Sequence, residues 1–321
     1  MTALQLTPAD PVTAKAPIGF ALCADDYGLS PAVGAAIRHL ITASRLSAVS
    51  CMMTTEYWPD EGSKLRSMAD SVDVGLHVCL TEGGPMGPMP VLAAQGTFPK
   101  PTSLVIRSLF DRIDRAEIAA EIDRQIDRFI AVMKRPPDFL DGHLHVHQLP
   151  VIRAAVFDAL CRRFPHGKPW LRNSCQSLGE MLWHPKVVAK ALTITLLGLG
   201  FGRLAARHGI ASNRHFRGIR PFSPRPSFAQ LFPCFLDRIA HGTLVMCHPG
   251  LDDGEYGDPR HPPRLRAEEF AYLSSSAFTT LMQTRNVALV RFSDVAAKEF
   301  QHRRATADRA LPAVSPGAVY K

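Results

Sequence analysis

The sequence predicts an α/β fold in which parallel strands are joined by crossover helices. Three observations carry this. Apolar runs of strand length alternate with segments of helical periodicity, the connections between them are mostly short, and the polar residues suited to chemistry fall where the strands end. A chain of 321 residues with 46% hydrophobic and 21% charged residues is ordinary for a single α/β barrel.

Ile18 to Cys23 reads as a short buried strand. Asp25 and Asp26 follow in an acidic turn with Gly28, and Ser30-Pro31 reads as an N-cap with proline at the first position of a helix to Arg45. Ser47–Met53 is a second strand, Trp58–Ala69 a helix, and Val72–Leu80 a third strand. Residues 83–101, rich in glycine and proline, form a loop placed to rim a pocket. Ile118, Ile122, Ile126, Phe129 and Ile130 mark a helix over Asp114–Lys134, stopped by Pro136-Pro137. Phe139–His147 is a fourth strand with its exit, Pro150–Phe164 a helix, and Trp170–Arg172 a short fifth strand. The rhythm breaks over 174–227, where Val187–Phe201 is strongly apolar and is followed by Arg203, Arg207 and His208. It resumes with the strand Gly242–His248, a helix over Arg266–Gln283, the strand Val287–Arg291 and a last helix capped by Ser293.

The formal charge of +8 comes from basic residues dispersed along the chain, which predicts a solvated basic surface and no nucleic-acid partner. The seven cysteines show no CxxC pair, and their odd number suits a reducing compartment. The first sixteen residues lack a signal-peptide apolar core, and no uncharged apolar run reaches the ~20 residues of a membrane span. The expected location is cytoplasmic, with peripheral contact at the inner membrane through the apolar stretch as the sharper reading of 187–201.

Asp25 and Asp26 pose the chemical question. Two adjacent anions are costly unless a cation or a shared proton offsets them. Histidines occur at three other strand ends: His77, the series His143, His145 and His147, and His248. On an extended strand the series faces one side. Taken singly, His77 reads as a hydrogen-bonded core histidine, the series as a solvated strand end and His248 as a residue shaping a turn. Their joint placement at ends that converge in a parallel fold points to a divalent ion, held by carboxylate oxygen and imidazole nitrogen. Three protein ligands with an open position is the catalytic pattern.

Ala24-Asp25-Asp26-Tyr27-Gly28, Gly75-Leu76-His77-Val78-Cys79-Leu80-Thr81, Asp141-Gly142-His143-Leu144-His145-Val146-His147 and Cys247-His248-Pro249-Gly250 together resemble the YdjC-like family of carbohydrate deacetylases, with its ChbG and hopanoid-associated HpnK branches. Tyr27 and Gly142 depart mildly from the family pattern. The resemblance implies a distorted (β/α) barrel, placed over 17–300; the apolar helical insertion over about 174–227 and the disordered tails at 1–16 and 301–321 fall outside the match and are read from the residues themselves. It implies hydrolytic removal of an acetyl group from an N-acetylated sugar, either chitooligosaccharide-like or glycolipid-linked. Asp26, His77 and His143 would hold one divalent ion, zinc or magnesium first and manganese, iron or cobalt next. Asp25 would be the base and His248 the acid, with His145 and His147 as alternatives. Asp141 would orient a histidine, and Tyr27 would stand near the substrate or behind the ligands. A homo-oligomer is compatible with this reading. The competing readings are another metal hydrolase, such as a phosphoesterase, and a non-catalytic sugar- or lipid-binding member. The adjacent pair counts against the Asp-x-Asp phosphatases.

Overall fold

The structure is a computed structural model, and it describes residues 15–177, 187–221, 223, 225–252 and 262–298. Both terminal tails expected from the sequence lie essentially outside the described residues.

Eight strands form one parallel sheet. They are β1 (Ile18–Tyr27), β2 (Ala48–Cys51), β3 (Asp73–Val78), β4 (Phe139–Gly142), β5 (Trp170–Leu171), β6 (Phe216–Arg217), β7 (Thr243–Cys247) and β8 (Val287–Leu289). Their order is β5-β4-β3-β2-β1-β7-β6, with β8 beside the start of β1. The sheet curls into a half-barrel. Among the described residues β5 and β6 share no ladder; the nearest link is a single bridge from Leu171 to Ser212.

Helices cover the sheet: α1 (Pro31–Thr42), α2 (Trp58–Arg66), α3 (Pro101–Leu109), α4 (Arg115–Met133), α5 (Pro150–Arg163), α6 (Val188–Leu197), α7 (Phe201–Arg207), α8 (Phe228–Phe235), α9 (Pro263–Ser274) and α10 (Ser276–Thr284). The α1 start behaves as its sequence predicts: the Ser30 hydroxyl accepts from Val33 N, and Pro31 stands at the first turn. In α4 the Asp114 carboxylate caps Ala116 N at 2.7 Å, and Ile118, Ile122, Ile126 and Phe129 are buried against the sheet.

Four stretches take a form other than the one read from the sequence, and α3 and α8 stand where no element was read. β1 does not stop at Cys23 but runs through both carboxylates to Tyr27, with Gly28 (φ +89°) taking the turn. β4 ends at Gly142, and His143–Gln148 is a 3-10 turn in which Leu144 (φ 52°) and His145 (φ 61°) are left-handed. The three histidines therefore do not share one strand face. The single helix expected over 266–283 is two helices, because Ser275 is extended and caps α10 by accepting from Phe278 N. The 174–227 region is not wholly helical: β6 enters the sheet beside β7. Two residues are too short to show strand alternation.

Val188–Arg207 is long and apolar enough, by length and composition, to cross a membrane. It is divided into α6 and α7 around a left-handed Gly200, and Ala191, Ile194, Phe201 and Ala205 are buried.

Candidate active site

The carboxyl ends of β1, β3, β4 and β7 converge on a cavity of about 310 Å³ that α6 and α9 complete. Asp25, Asp26, His77, His143, His145 and His248 all line it. In a regular strand neighbouring side chains point to opposite faces. Here the pairing of β1 with β2 shifts register between Ala24 and Tyr27, and Asp26 takes φ +67°. This irregularity re-aims the chain and lets both carboxylates reach one cavity.

Asp26 divides its two oxygens. Oδ1 lies 3.0 Å from His143 Nδ1 and 3.4 Å from His77 Nε2. Oδ2 accepts from Arg266 Nη2 at 2.6 Å. Burial opposes its ionisation, yet His143 and Arg266 hold the carboxyl well below the usual carboxylate range. His77 is fixed from behind: its Nδ1 is 2.7 Å from Asp141 Oδ1, which also accepts from the Ser50 hydroxyl. Burial works against charging His77, but Asp141 pushes its pKa up to about 10 in the metal-free protein. The Asp141 partnership leaves Nε2 as the atom facing Asp26, the arrangement in which a carboxylate behind a histidine sets its tautomer.

Asp25 is held differently. Arg172 grips it with both arms, Nη1 to Oδ2 and Nη2 to Oδ1, each at 2.6 Å. Nη2 also lies 2.6 Å from Asp141 Oδ2. Arg172 is fully buried, and despite that burial Asp141 and Asp25 raise its pKa well above the ordinary arginine value. Its bidentate grip fixes both Asp25 oxygens as acceptors.

Two groups have ligand atoms that lie within 4.8 Å of one another: Asp26, His77 and His143, and Asp25, His77 and Asp141. The second is already filled by the Arg172 guanidinium. The first fits a divalent ion by its donor set of one carboxylate oxygen and two imidazole nitrogens. It also has an orphan: His143 Nε2 is buried with no hydrogen-bond partner.

The remaining histidines separate. His248 Nε2 is 3.9 Å from Asp25 Oδ2, and its backbone N–H donates to Glu269. His145 lines the cavity, but burial and then the neighbouring His147 and Arg172 hold its pKa well below the ordinary histidine value. His147 turns away from the cavity, its Nε2 2.8 Å from the Arg172 carbonyl, and burial lowers its pKa to about 4. Tyr27 is not brought to the cavity: its hydroxyl donates to the Glu61 carbonyl and accepts from Arg38, each at 2.7 Å.

Sequence reasoning missed Arg172, Arg266, Ser50, Arg220 and Lys190. Arg172 did leave a signal, a charged residue closing the apolar run Trp170-Leu171 at the same sheet edge as the other motifs. Arg266 left none, being one of several charged residues in a surface-type helix. Arg220 and Lys190 line the far wall, where Arg220 pairs with Glu269 at 2.8 Å. Burial and then Arg220 lower the Lys190 pKa to about 8.

A family profile described as YdjC-like protein matches residues 20–284. A chitooligosaccharide deacetylase of Yersinia pestis (strain Pestoides F) is 35% identical over 273 residues, covering 84% of this chain and 96% of the relative. The protein of the same name from Yersinia pseudotuberculosis serotype O:3 (strain YPIII) matches to the same extent. Among solved structures, an Enterococcus faecalis V583 protein named for cellobiose-phosphate cleavage superposes with a TM-score of 0.65 at 19% identity, over 88% of this chain and 100% of that one. That likeness is one of fold.

Proposed function

The chain belongs to the YdjC-like family, and on that premise we propose that it is a divalent-metal-dependent hydrolase that releases acetate from an N-acetylated sugar. The observation that carries this reading is the split between the two neighbouring carboxylates. Asp26 faces two imidazoles across a space suited to an ion, while Asp25 beside it is gripped through both oxygens by Arg172.

Asp26, His77 and His143 would hold the ion. When bound there, it supplies Lewis acidity that makes a water more acidic and polarises the acyl carbonyl. Asp25 takes the proton of the attacking water, and Arg172 holds its carboxylate aimed. The C–N bond of the acetamide breaks, acetate leaves with the water oxygen, and the departing nitrogen needs a proton. His248 is the donor we assign, for it is the histidine that lies within 4 Å of Asp25 without being a proposed ligand. The lowered pKa values of His145 and His147 leave those rings neutral and poor acids.

The acceptor side points to an amphiphilic substrate. α6 lines the cavity with Lys190, Thr193 and Ile194 and shows Leu192 and Leu196 to solvent, with Leu199 exposed just beyond its end. A glycolipid-linked N-acetylglucosamine could lay its apolar part along this helix at the inner membrane face, with the sugar in the cavity. Acetate release from chitooligosaccharides and from N-acetylglucosamine glycolipids, assayed with and without chelator, tests both levels of the proposal. Chelator-sensitive release supports the hydrolase, and preference for the glycolipid supports the finer assignment. Phosphate release from phosphomonoesters without acetate release would contradict it.

A further inference from the structure

The Cys247-His248-Pro249-Gly250 motif contains a glycine that the chemistry above does not use. A Cβ built on Gly250 would lie 3.1 Å from Arg266 Cβ, 3.3 Å from Arg266 Cδ and 3.2 Å from Val33 Cγ2. The bare backbone of Gly250 therefore lies flat against the stem of Arg266, and its N–H donates to the Arg266 carbonyl at 3.2 Å. Arg266 is 3% exposed. Its Nη2 reaches Asp26 Oδ2, while its Nε and Nη1 are buried with no hydrogen-bond partner. A buried guanidinium that leaves two donors unsatisfied is costly. Its one side-chain hydrogen bond among the described residues is to Asp26.

We propose that Arg266, seated by Gly250, is the resident counter-ion of the site. It keeps Asp26 in place when no ion is bound, and its own charge weakens the grip on an arriving ion. The inference rests on the reading that Asp26, His77 and His143 hold a divalent ion. Arg266 binds the outer oxygen of Asp26 and leaves Oδ1 facing the histidines, so it does not block the site. A divalent ion there would meet a carboxylate already half neutralised, and like charges at such short range repel strongly in a buried setting. Arg266 is thus a positioning residue that trades affinity for a site that stays assembled when empty.

Arg266→Gln keeps a polar side chain and removes the charge; Arg266→Lys keeps the charge. Zinc affinity is measured by chelator competition, and melting is measured in EDTA. We expect the Gln variant to melt several degrees lower without metal and to bind zinc about tenfold more tightly. The Lys variant should stay near wild type in both. Gly250→Ala should shift both readings in the direction of the Gln variant, by less. Should the Gln variant fold only with zinc present, that also supports the proposal. Zinc affinity in the Gln variant equal to or weaker than wild type would overturn it, as would failure to fold even with zinc. A wild-type protein that binds no zinc, magnesium, manganese or cobalt would instead remove the metal-site reading itself.

Discussion

Asp25 and Asp26 are joined by one peptide bond and are both nearly fully buried, yet they sit in opposite chemical settings. Asp25 spends both oxygens on one guanidinium, in a dense knot with Asp141 and Cys23. Asp26 gives one oxygen to Arg266 and turns the other to two imidazoles, one of which has an unpartnered nitrogen. The first half is saturated and the second is open. On the proposed reading, the group with one carboxylate and two imidazoles is the ion site, and the group with two carboxylates and one imidazole holds the fixed base. Distance alone would have allowed two ion sites.

The sharpest way to break this contrast is to remove the open half. Asp26→Ala or His77→Ala should abolish tight metal binding and lower acetate release by about 10³-fold or more. Full activity in either variant would end the account. Asp25→Asn should leave the ion in place and still lower turnover by about 10²–10⁴-fold, seen as activity loss at unchanged metal stoichiometry. Loss of the ion in that variant would mean the halves are not separate.

Arg172→Met probes the saturated half through stability. It leaves Asp25 and Asp141 as buried carboxylates without their cation, and urea unfolding should show a loss of about 3–5 kcal/mol. A smaller consequence appears in the pH profile of the metal-free protein. The His77 pKa is raised from its ordinary 6.5 to about 10, so its contribution to stability is full below about 6.5 and is lost as pH rises through 10. The Asp26 carboxyl is depressed, so its contribution is present above the ordinary carboxylate range and is lost on acidification. Urea midpoints in EDTA should therefore fall between pH 7 and 10, and His77→Gln should flatten that fall. The smallest effect belongs to Tyr27→Phe, which removes a hydroxyl bridging Arg38 and Glu61. It should cost roughly 1 kcal/mol in unfolding and leave acetate release unchanged.

Much of this was legible in the sequence. The β-α alternation, the Ser30-Pro31 start of α1 and the apolar stripe of α4 are local patterns, and the structure carries them as read. The strand ends also located Asp25, Asp26, His77, His143 and His248 at one cavity, because parallel strands must bring those ends together. What escaped was non-local or irregular. The register shift in β1 and the left-handed Leu144 and His145 leave no periodic signal, and His-x-His-x-His reads as strand spacing until the chain turns at Gly142. The two arginines that divide the site are Arg172, just past β5, and Arg266 in α9; both are distant in sequence from the motifs, and only the first left a local sign. The lesson is that the residues gathered at a cavity can be read from motifs, but the arginines that set their two carboxylates apart come from the fold.

The central claim is that the ion belongs to the open half alone. Anomalous diffraction from crystals soaked in zinc or manganese tests it most directly. A single strong peak per chain is expected, bonded to Asp26, His77 and His143, with Arg172 still gripping Asp25. A peak between Asp25, His77 and Asp141 with Arg172 displaced, or no peak at Asp26, would contradict it.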